Sequence, residues 1–327
     1  MEQRVLGRTG REISVVGLGT WQLGADWGQI REEDALEVLD AAVRAGVTFF
    51  DTADVYGDGR SERVIGRYLA ERPDADVFVA TKMGRRVEQR PENYHLDHFR
   101  AWTDRSRTNL GVETLDLVQL HCPPTAVYSS DAVFDALDTL VAEKRVAAYA
   151  VSVETCAEAL AAIARPGTAS VQIILNPFRL KPLEQVLPAA ARAGVGIIAR
   201  VPLASGLLSG RYTRDTVFAP DDHRTFNRGG EAFDQGETFS GVDFETGLEA
   251  AAEFSGLAPE GATPAQTALR WIVQQPGVTS VIPGARSPRQ AVANAEAAAL
   301  PPLTDGTLRA VSDLYERRIR PQVHDRW

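Results

Sequence analysis

Four residues that can exchange protons lie at or just beyond the ends of short apolar runs. Asp51 ends the run VTFFD, Lys82 follows VFVAT and His121 follows LDLVQL, while Tyr56 comes five residues after Asp51. Apolar runs of about five residues between polar residues are typical of buried parallel strands. Catalytic groups collect at the ends of such strands in barrels of alternating strands and helices. The spacing therefore predicts that these four side chains meet at one end of a barrel.

Lys82 is distinctive because lysine is rare in this chain. The other lysines are Lys144 and Lys181, although lysine and arginine together number 35. A carboxylate beside a lysine keeps its ammonium group charged, and a nearby ammonium group lowers the pKa of a phenol. A tyrosine in that position can donate a proton to a carbonyl oxygen that a neutral imidazole also binds. The residue types therefore favour proton transfer to a carbonyl group that is attacked at its carbon.

The segments that must position these residues alternate strictly between strand-like and helix-like patterns. Eight strand-like runs, of which ISVVGLG is the first, alternate with eight helices, and QRVL pairs with ISVVGLG as an N-terminal β-hairpin. This alternation indicates a parallel sheet and fits a single α/β domain, a (β/α)8 TIM barrel over residues 1–327 with the hairpin as a plug. An open doubly wound sheet is the alternative. The helices are predicted at 32–45, 62–69, 96–110, 131–143, 156–164, 183–193, 264–274 and 288–298, with an extra C-terminal helix at 304–318.

Residues 202–244, which we call the lid segment, interrupt the alternation after the seventh strand. The segment is polar and glycine-rich and contains no clear core strand. Irregular insertions of this length in a compact domain are usually functional lids or disordered, and its aromatic residues argue against permanent disorder. We therefore expect the lid segment to cover the end of the barrel that carries the four residues. His223, Arg224 or Arg228 is expected to help close it.

The composition excludes several classes of function. The net charge of −9 argues against a general nucleic-acid surface. The two cysteines, Cys122 and Cys156, have neither a disulfide framework nor metal-ligand spacing. The polar start of the chain does not resemble a signal peptide, and no apolar run approaches the roughly 20 residues of a membrane span. We expect a cytoplasmic enzyme with a small-molecule substrate and no metal, nucleic-acid or membrane partner; the oligomeric state stays open.

The segment GLGTWQLG resembles the start of a Rossmann dinucleotide-binding fingerprint but lacks its other parts. Gly17 and Gly19 follow a strand, but Gln22 stands where the third glycine is needed. No helix begins directly after Gly19, and Asp51 is too distant to serve as the acidic residue of the fingerprint. A Rossmann site is therefore not expected here.

Three other segments resemble the motifs of the aldo-keto reductase family, and the resemblance extends over nearly the whole chain. FFDTADVYGDGRSERVIG is similar to the DTA-x-x-YG-x-SE segment of that family, ATKMG to its third-strand lysine segment, and LDLVQLHCP to its fourth-strand histidine segment. The order and spacing of the segments also agree. The resemblance implies a (β/α)8 barrel that binds NADP(H) without a Rossmann domain. It also implies that hydride from the nicotinamide reduces an aldehyde or ketone.

The resemblance assigns a role to each of the four residues. Tyr56 would be the general acid in carbonyl reduction and the base in the reverse direction. Lys82 would lower the pKa of Tyr56, Asp51 would pair with Lys82, and His121 would orient the substrate carbonyl.

The resemblance also implies a set of cofactor-binding residues. Arg200 stands where the family has a tyrosine that stacks on the nicotinamide, so the oxidised cofactor would bind less well there. In the alternative interpretation, Arg200 pairs with a phosphate or with a carboxylate of the lid segment. Arg286 is the expected contact of the 2′-phosphate. The full set is Gly19, Thr20, Trp21, Asp51, Ser152, Gln172, Arg200, Pro202, Leu203, Ser205, Gly206, Leu208, Gly210, Gly284, Arg286, Gln290 and Asn294.

The expected substrate pocket is a cleft with aromatic walls and some charge. It suits a medium-sized aldehyde, ketone or sugar-like carbonyl compound. Its predicted residues are Trp21, Trp27, Tyr56, Arg85, His121, Phe178 and Phe226.

Two other functions remain open from the sequence. A lysine at a strand end is also found in Schiff-base aldolases. A few members of the family serve as cofactor-sensing subunits with slow turnover. The complete set of four residues favours the reductase over both.

Overall fold

A computed structural model of the chain describes residues 1–24 and 30–327. An antiparallel hairpin comes first, formed by β1 (Gln3–Val5) and β2 (Glu12–Ser14). Within the described residues, eight further strands form one parallel sheet in which consecutive strands are neighbours. These strands are β3 (Leu18–Gly19), β4 (Phe49–Asp51), β5 (Phe78–Met83), β6 (Leu117–His121), β7 (Tyr149–Ser152), β8 (Thr168–Ile174), β9 (Gly196–Arg200) and β10 (Ser280–Val281).

The sheet closes on itself where β3 meets β10. The backbone N–H of Gly17 donates to the carbonyl of Val281 at 2.8 Å, and that of Gly19 donates to the carbonyl of Pro283 at 3.0 Å. A parallel bridge also joins Gly19 to Gly284. The predicted (β/α)8 barrel is therefore confirmed, and the open doubly wound alternative is wrong.

The helices pack around the barrel in chain order, and most of them agree with the prediction. They are α1 (Glu32–Arg44), α2 (Arg60–Glu71), α3 (Leu96–Leu110), α4 (Asp131–Ala142), α5 (Cys156–Ile163), α6 (Val186–Ala193), α7 (His223–Phe226), α8 (Phe244–Ser255), α9 (Pro264–Gln274), α10 (Pro288–Glu296), α11 (Asp305–Leu314) and α12 (Arg320–Val323). The chain stays helical between α11 and α12, with wider π-type turns over Tyr315–Ile319. Within the described part of the chain, no helix is long and apolar enough to cross a lipid bilayer.

Helix α8 was not predicted, although its first turn carries a clear sequence signal. The side chain of Asp243 accepts a hydrogen bond from the backbone N–H of Thr246 at 3.0 Å. An aspartate in this position satisfies an N–H group that has no partner within the helix. This helix lies between the end of the lid segment and α9, where the sequence predicted no helix.

The hairpin prediction needs one correction. The run ISVVGLG is not one continuous strand, because its first residues belong to β2 and its last residues to β3. Leu6 and Ile13 of the hairpin region are fully buried against the apolar residues inside the barrel. The hairpin therefore plugs one end of the barrel.

Apolar side chains fill two layers. Inside the barrel, Phe49, Ala80 and Leu117 belong to the cluster that Leu6 and Ile13 cover. A larger cluster fills the space between the strands and the helices. Successive side chains of a strand point to opposite faces, so Phe49 faces inward and Phe50 faces the helices.

The lid segment is folded, contrary to the expectation of an irregular insertion. It contains α7 and short 3-10 turns at Ala204–Ser209, Gln235–Glu237 and Phe239–Gly241. The indole N–H of Trp327 donates to the Asp234 carboxylate at 2.9 Å. This contact ties the segment to the chain beyond α12.

Candidate active site

Three polar residues continue the inward-facing rows of apolar side chains. Asp51 comes two residues after Phe49 in β4, and Lys82 comes two residues after Ala80 in β5. His121 comes four residues after Leu117 in β6. Because inward-facing residues recur every second position, all three face the barrel axis, one or two steps beyond the apolar layer.

Lys82 connects the carboxylate of Asp51 to the phenol of Tyr56. Its ammonium group forms a buried ion pair with Asp51 and donates to the Thr52 carbonyl at 3.0 Å. The same nitrogen lies 3.3 Å from the Tyr56 hydroxyl. The side chains of Lys82 and Asp51 are 2% and 3% exposed, so water screens this pair very little.

Two glutamines hold the second carboxylate oxygen of Asp51. The side-chain amides of Gln119 and Gln172 donate to it at 2.9 and 2.7 Å, and Gln172 also donates to Gln119 at 3.0 Å. Gln172 was predicted as a partner of the cofactor carboxamide, whereas in this structure it orients Asp51. Gln119 was not predicted. Its position two residues before His121 on the same strand was the signal that could have found it.

The net pKa of Tyr56 differs from the expectation. Burial raises the pKa of Tyr56 above its ordinary value, and this effect exceeds the lowering by Lys82. Burial lowers the pKa of Lys82, but Asp51 and Tyr56 outweigh it and raise that pKa. Tyr56 is therefore a protonated phenol at neutral pH, as a proton donor must be. Lys82 stays charged, which argues against its acting as a Schiff-base nucleophile.

His121 stands beside the phenol as a neutral imidazole. Its ring lies edge-on to Tyr56, with 6.0 Å between the ring centroids. Burial and then the charges of Arg85, Lys82 and Arg200 hold the pKa of His121 well below its usual range. Its Nδ1 atom is buried and has no hydrogen-bond partner among the described residues. A neutral imidazole in this place can hydrogen-bond a carbonyl oxygen next to Tyr56.

A cleft of about 400 Å³ extends from Tyr56 to the start of α10. Thirteen of the predicted cofactor residues line it. They are Gly19, Thr20, Trp21, Asp51, Gln172, Arg200, Pro202, Leu203, Ser205, Gly206, Gly284, Arg286 and Gln290. Gln22 also lines the cleft and was not predicted as a site residue.

Four predicted cofactor residues do not line the cleft. Leu208 is fully buried in the core, and Gly210 ends the turn after β9 in a left-handed conformation. The hydroxyl of Ser152 accepts a hydrogen bond from the Cys122 thiol at 3.4 Å. The amide of Asn294 donates to the Gly284 carbonyl at 3.2 Å. Asn294 therefore braces the turn at Gly284 in this structure.

The predicted substrate residues are only partly brought together. Trp21 and Tyr56 line the cleft and stack with 5.9 Å between their ring centroids. Phe178 is fully buried in the core, and Phe226 is 41% exposed, with its ring against Phe233. Both therefore lie outside the cleft. Trp27 falls outside the described residues.

Arg85 joins β5 to His121 without lining the cleft itself. Its Nε atom donates to the backbone carbonyl of His121 at 3.1 Å. Its guanidinium also lies 3.4 Å from Glu154 and 3.2 Å from Glu237. Arg85 thus holds the end of β6 beside a pair of carboxylates.

Arg200 is engaged by carboxylates, which is the alternative that the sequence left open. Its guanidinium donates to the Glu154 carboxylate at 2.6 Å and to the Val153 carbonyl at 2.9 Å. The carboxylate of Glu237, in the lid segment, lies 3.5 Å away. These contacts fix the guanidinium at the wall of the cleft.

The three lid residues named from the sequence take different positions. His223 packs against Trp21 with 5.3 Å between ring centroids and lines the cleft. Arg224 also lines the cleft, pairs with Asp222 at 2.5 Å and lies over the Phe218 ring. Arg228 donates to the Arg224 carbonyl at 2.7 Å and lies over Phe244. His223 and Arg224 therefore line the cleft, whereas Arg228 contacts Arg224 without lining it.

The family of this chain follows from comparison with known proteins. The model of the aldo/keto reductase family matches residues 15–316. This chain belongs to the aldo/keto reductase family. The family prediction and the prediction of an oxidoreductase of this type are therefore confirmed.

Individual relatives extend over nearly the full length of the chain. The uncharacterized oxidoreductase YqkF of Bacillus subtilis is 28% identical over 325 residues, covering 97% of this chain and 99% of the relative. The structure of a glycerol dehydrogenase from Gluconobacter oxydans has a TM-score of 0.79 and 31% identity, covering 97% of this chain and 95% of the other. An aldo-keto reductase from Klebsiella pneumoniae, solved in complex with NADPH, has a TM-score of 0.70 at 23% identity, with 98% and 99% covered. This last similarity concerns the fold.

Proposed function

We propose that this member of the family reduces an aldehyde or ketone to an alcohol with NADPH, and that Tyr56 acts as the general acid. The observation that carries the proposal is the buried chain from Asp51 through Lys82 to Tyr56, with neutral His121 beside the phenol. The phenol donates its proton to the carbonyl oxygen, and the charged Lys82 stabilises the phenolate that remains. His121 hydrogen-bonds the same oxygen and orients it.

The cleft fits a dinucleotide in several respects. A Cβ atom on Gly206 would lie 2.2 Å from the Tyr212 hydroxyl, and one on Gly284 would lie 2.2 Å from the Gln22 amide. Glycine at both places lets these two side chains lie directly against the backbone that lines the cleft. The amide oxygen of Gln22 is buried without a hydrogen-bond partner among the described residues. When bound, the nicotinamide would supply hydride to the carbonyl carbon.

The backbone after β9 supports a ligand-binding role for this loop. Val201 and Ser205 have φ angles of 51° and 54°, in the left-handed region that non-glycine residues rarely adopt. Strained backbone of this kind concentrates at ligand-binding segments. Both residues line the cleft.

Arg286 is our candidate for the contact with the 2′-phosphate that distinguishes NADPH from NADH. Its side chain is exposed and lines the far end of the cleft, where Gln290 accepts a hydrogen bond from its backbone N–H at 2.7 Å. Gln290 thereby shapes the turn that presents Arg286. An unchanged NADPH to NADH preference in Arg286→Ala would rule out this assignment.

The test of the function is NADPH consumption over a panel of neutral aldehydes and ketones, with polyols and NADP⁺ for the reverse direction. We expect turnover by the wild type and a loss of at least a hundredfold in Tyr56→Phe. The matched control is Tyr68→Phe, because Tyr68 is buried between α2 and the core and away from the cleft. NADPH binding without oxidation by any carbonyl compound would instead support the cofactor-sensing function.

A further inference from the structure

Four charged side chains form a buried group at the mouth of the barrel, which we call the rim cluster. Arg85 lies two residues after β5, and Arg200 is the last residue of β9. Glu154 lies two residues after β7, and Glu237 belongs to the lid segment. Each arginine contacts both carboxylates at 2.6–3.5 Å. The exposed fractions of these side chains run from 7% to 22%. The cluster therefore joins the lid segment to three strand ends.

The structure fixes Glu237 firmly in its place. It ends the 3-10 turn that begins at Gln235, and the side chain of Asp234 caps that turn by accepting from the Gly236 N–H at 2.7 Å. Trp327 donates to the same Asp234 oxygen, so the chain beyond α12 also holds this turn. Glu237 is thus a positioned charge, and it lines the cleft together with Arg200.

Glu237 is the ionised carboxylate that balances the cluster. Burial raises the pKa of Glu237, but Arg200 and Arg85 outweigh it and hold it at about 2. Burial raises the pKa of Glu154, and the charge of Arg200 acts in the opposite direction. The Cys122 thiol, within 4.8 Å of both carboxylates, is uncharged because burial raises its pKa to about 12. Without Glu237, two arginines would face the single carboxylate of Glu154.

The charges of the rim cluster influence the pKa values of Tyr56 and His121. Glu237 contributes to the raised pKa of Tyr56, and Arg85 and Arg200 contribute to the lowered pKa of His121. A carbonyl that receives a proton from Tyr56 must receive hydride at the adjacent carbon. The nicotinamide must therefore bind within the reach of these charges.

We propose that Glu237 sets the relative affinity of this site for oxidised and reduced nicotinamide by cancelling the positive charge of Arg200. This inference rests on the proposed function. The oxidised ring carries a positive charge and the reduced ring does not, so an unbalanced guanidinium repels only the oxidised form. Arg200 alone would weaken the binding of NADP⁺ relative to that of NADPH. Glu237 of the lid segment removes this difference.

The test compares the dissociation constants of NADP⁺ and NADPH for the wild type and Glu237→Gln, measured by quenching of protein fluorescence. We expect the ratio of the NADP⁺ constant to the NADPH constant to rise about tenfold, as a nearby unit charge in a partly buried site can produce. Glu231→Gln is the matched control, because Glu231 is an exposed carboxylate of the same lid segment. This control should leave the ratio unchanged.

Two further variants keep the test decisive if Glu237→Gln is poorly folded. Arg200→Gln should lower the ratio, because Glu237 then attracts the oxidised ring. The double variant Arg200→Gln with Glu237→Gln removes both charges and should return the ratio to within about threefold of the wild type. Circular dichroism establishes that each variant is folded.

Two outcomes would overturn the inference. Equal weakening of both cofactor forms in Glu237→Gln would mean that the residue only fastens the lid segment. A ratio that changes in neither single variant would mean that the rim cluster does not act on the nicotinamide. If the wild type bound neither cofactor form, the proposed function itself would fail, so the two failures are distinguishable.

Discussion

Asp54 provides the sharpest test of the electrostatics at the barrel mouth. It lies two residues before Tyr56, is fully buried, and neither of its carboxylate oxygens has a hydrogen-bond partner of normal geometry among the described residues. Burial, followed by the charge of Glu62, raises the pKa of Asp54 to about 7, although Arg86 and Arg105 act in the opposite direction. Asp54→Asn keeps the shape and removes the charge.

The pKa values of Asp54 in the unfolded and folded chain give the sign and size of its effect on the free energy of unfolding. In the unfolded chain Asp54 ionises near its ordinary value of 3.8, whereas in the folded protein it keeps its proton up to about 7. The stability that it contributes is therefore fully present below pH 4 and is lost as the pH rises through 7. One pKa unit corresponds to about 1.4 kcal/mol, so the loss approaches roughly 4 kcal/mol by pH 8.

The assay is urea denaturation at pH 5 and pH 8, followed by circular dichroism. Much of the loss falls between these two values, so Asp54→Asn should gain roughly 2–3 kcal/mol more over the wild type at pH 8 than at pH 5. Asp74→Asn is the control, because Asp74 is exposed. An equal difference between Asp54→Asn and the wild type at both pH values would refute the argument.

Three other predictions concern the cleft and the lid segment. Lys82→Met leaves the buried Asp51 without its cation and should cost about 3–5 kcal/mol of stability in denaturation, most of which the double variant with Asp51→Asn should restore. Trp327→Ala removes the ring that lies 3.8 Å from the Arg179 guanidinium and the N–H that donates to Asp234, so limited proteolysis should cut within residues 202–244 at least several times faster than in the wild type. Trp327→Phe keeps a ring without the N–H and should be cut at an intermediate rate. Equal cleavage rates would show that the ring does not hold the segment. Gly284→Ala places a methyl group where the Gln22 amide lies, which should weaken NADPH binding severalfold in titrations while leaving the melting temperature within about 2 °C of the wild type; an unchanged affinity would remove Gln22 from the site.

Much of the fold was predictable because its elements depend on local patterns. The limits of α3 and α9 agree with the predicted residues 96–110 and 264–274. In α9 the sequence itself contains the start signal, since Thr263 and Gln266 form a capping box and Pro264 occupies the first turn. The apolar runs before Asp51 and Lys82 likewise predicted that both residues lie at strand ends, and they lie within the last two residues of β4 and β5.

The predictions that were wrong concern residues whose placement depends on contacts with distant parts of the chain. The run ISVVGLG divides between β2 and β3 because its second half pairs with β10, more than 260 residues later. Phe178 looked like a pocket residue from its chemistry, yet it is fully buried in the core. The type of a residue does not show which neighbours cover it.

The sequence by itself determined the residue types of the site, their order along the strands and the family of the chain. Only the tertiary structure decided how these groups behave. Burial outweighs Lys82 in setting the pKa of Tyr56, and Arg200 turns to Glu154 and to Glu237 of the lid segment. The physical reason is that desolvation and charge pairing depend on which distant segments come together. Local spacing fixes the direction of a side chain along a strand but carries no information about those segments.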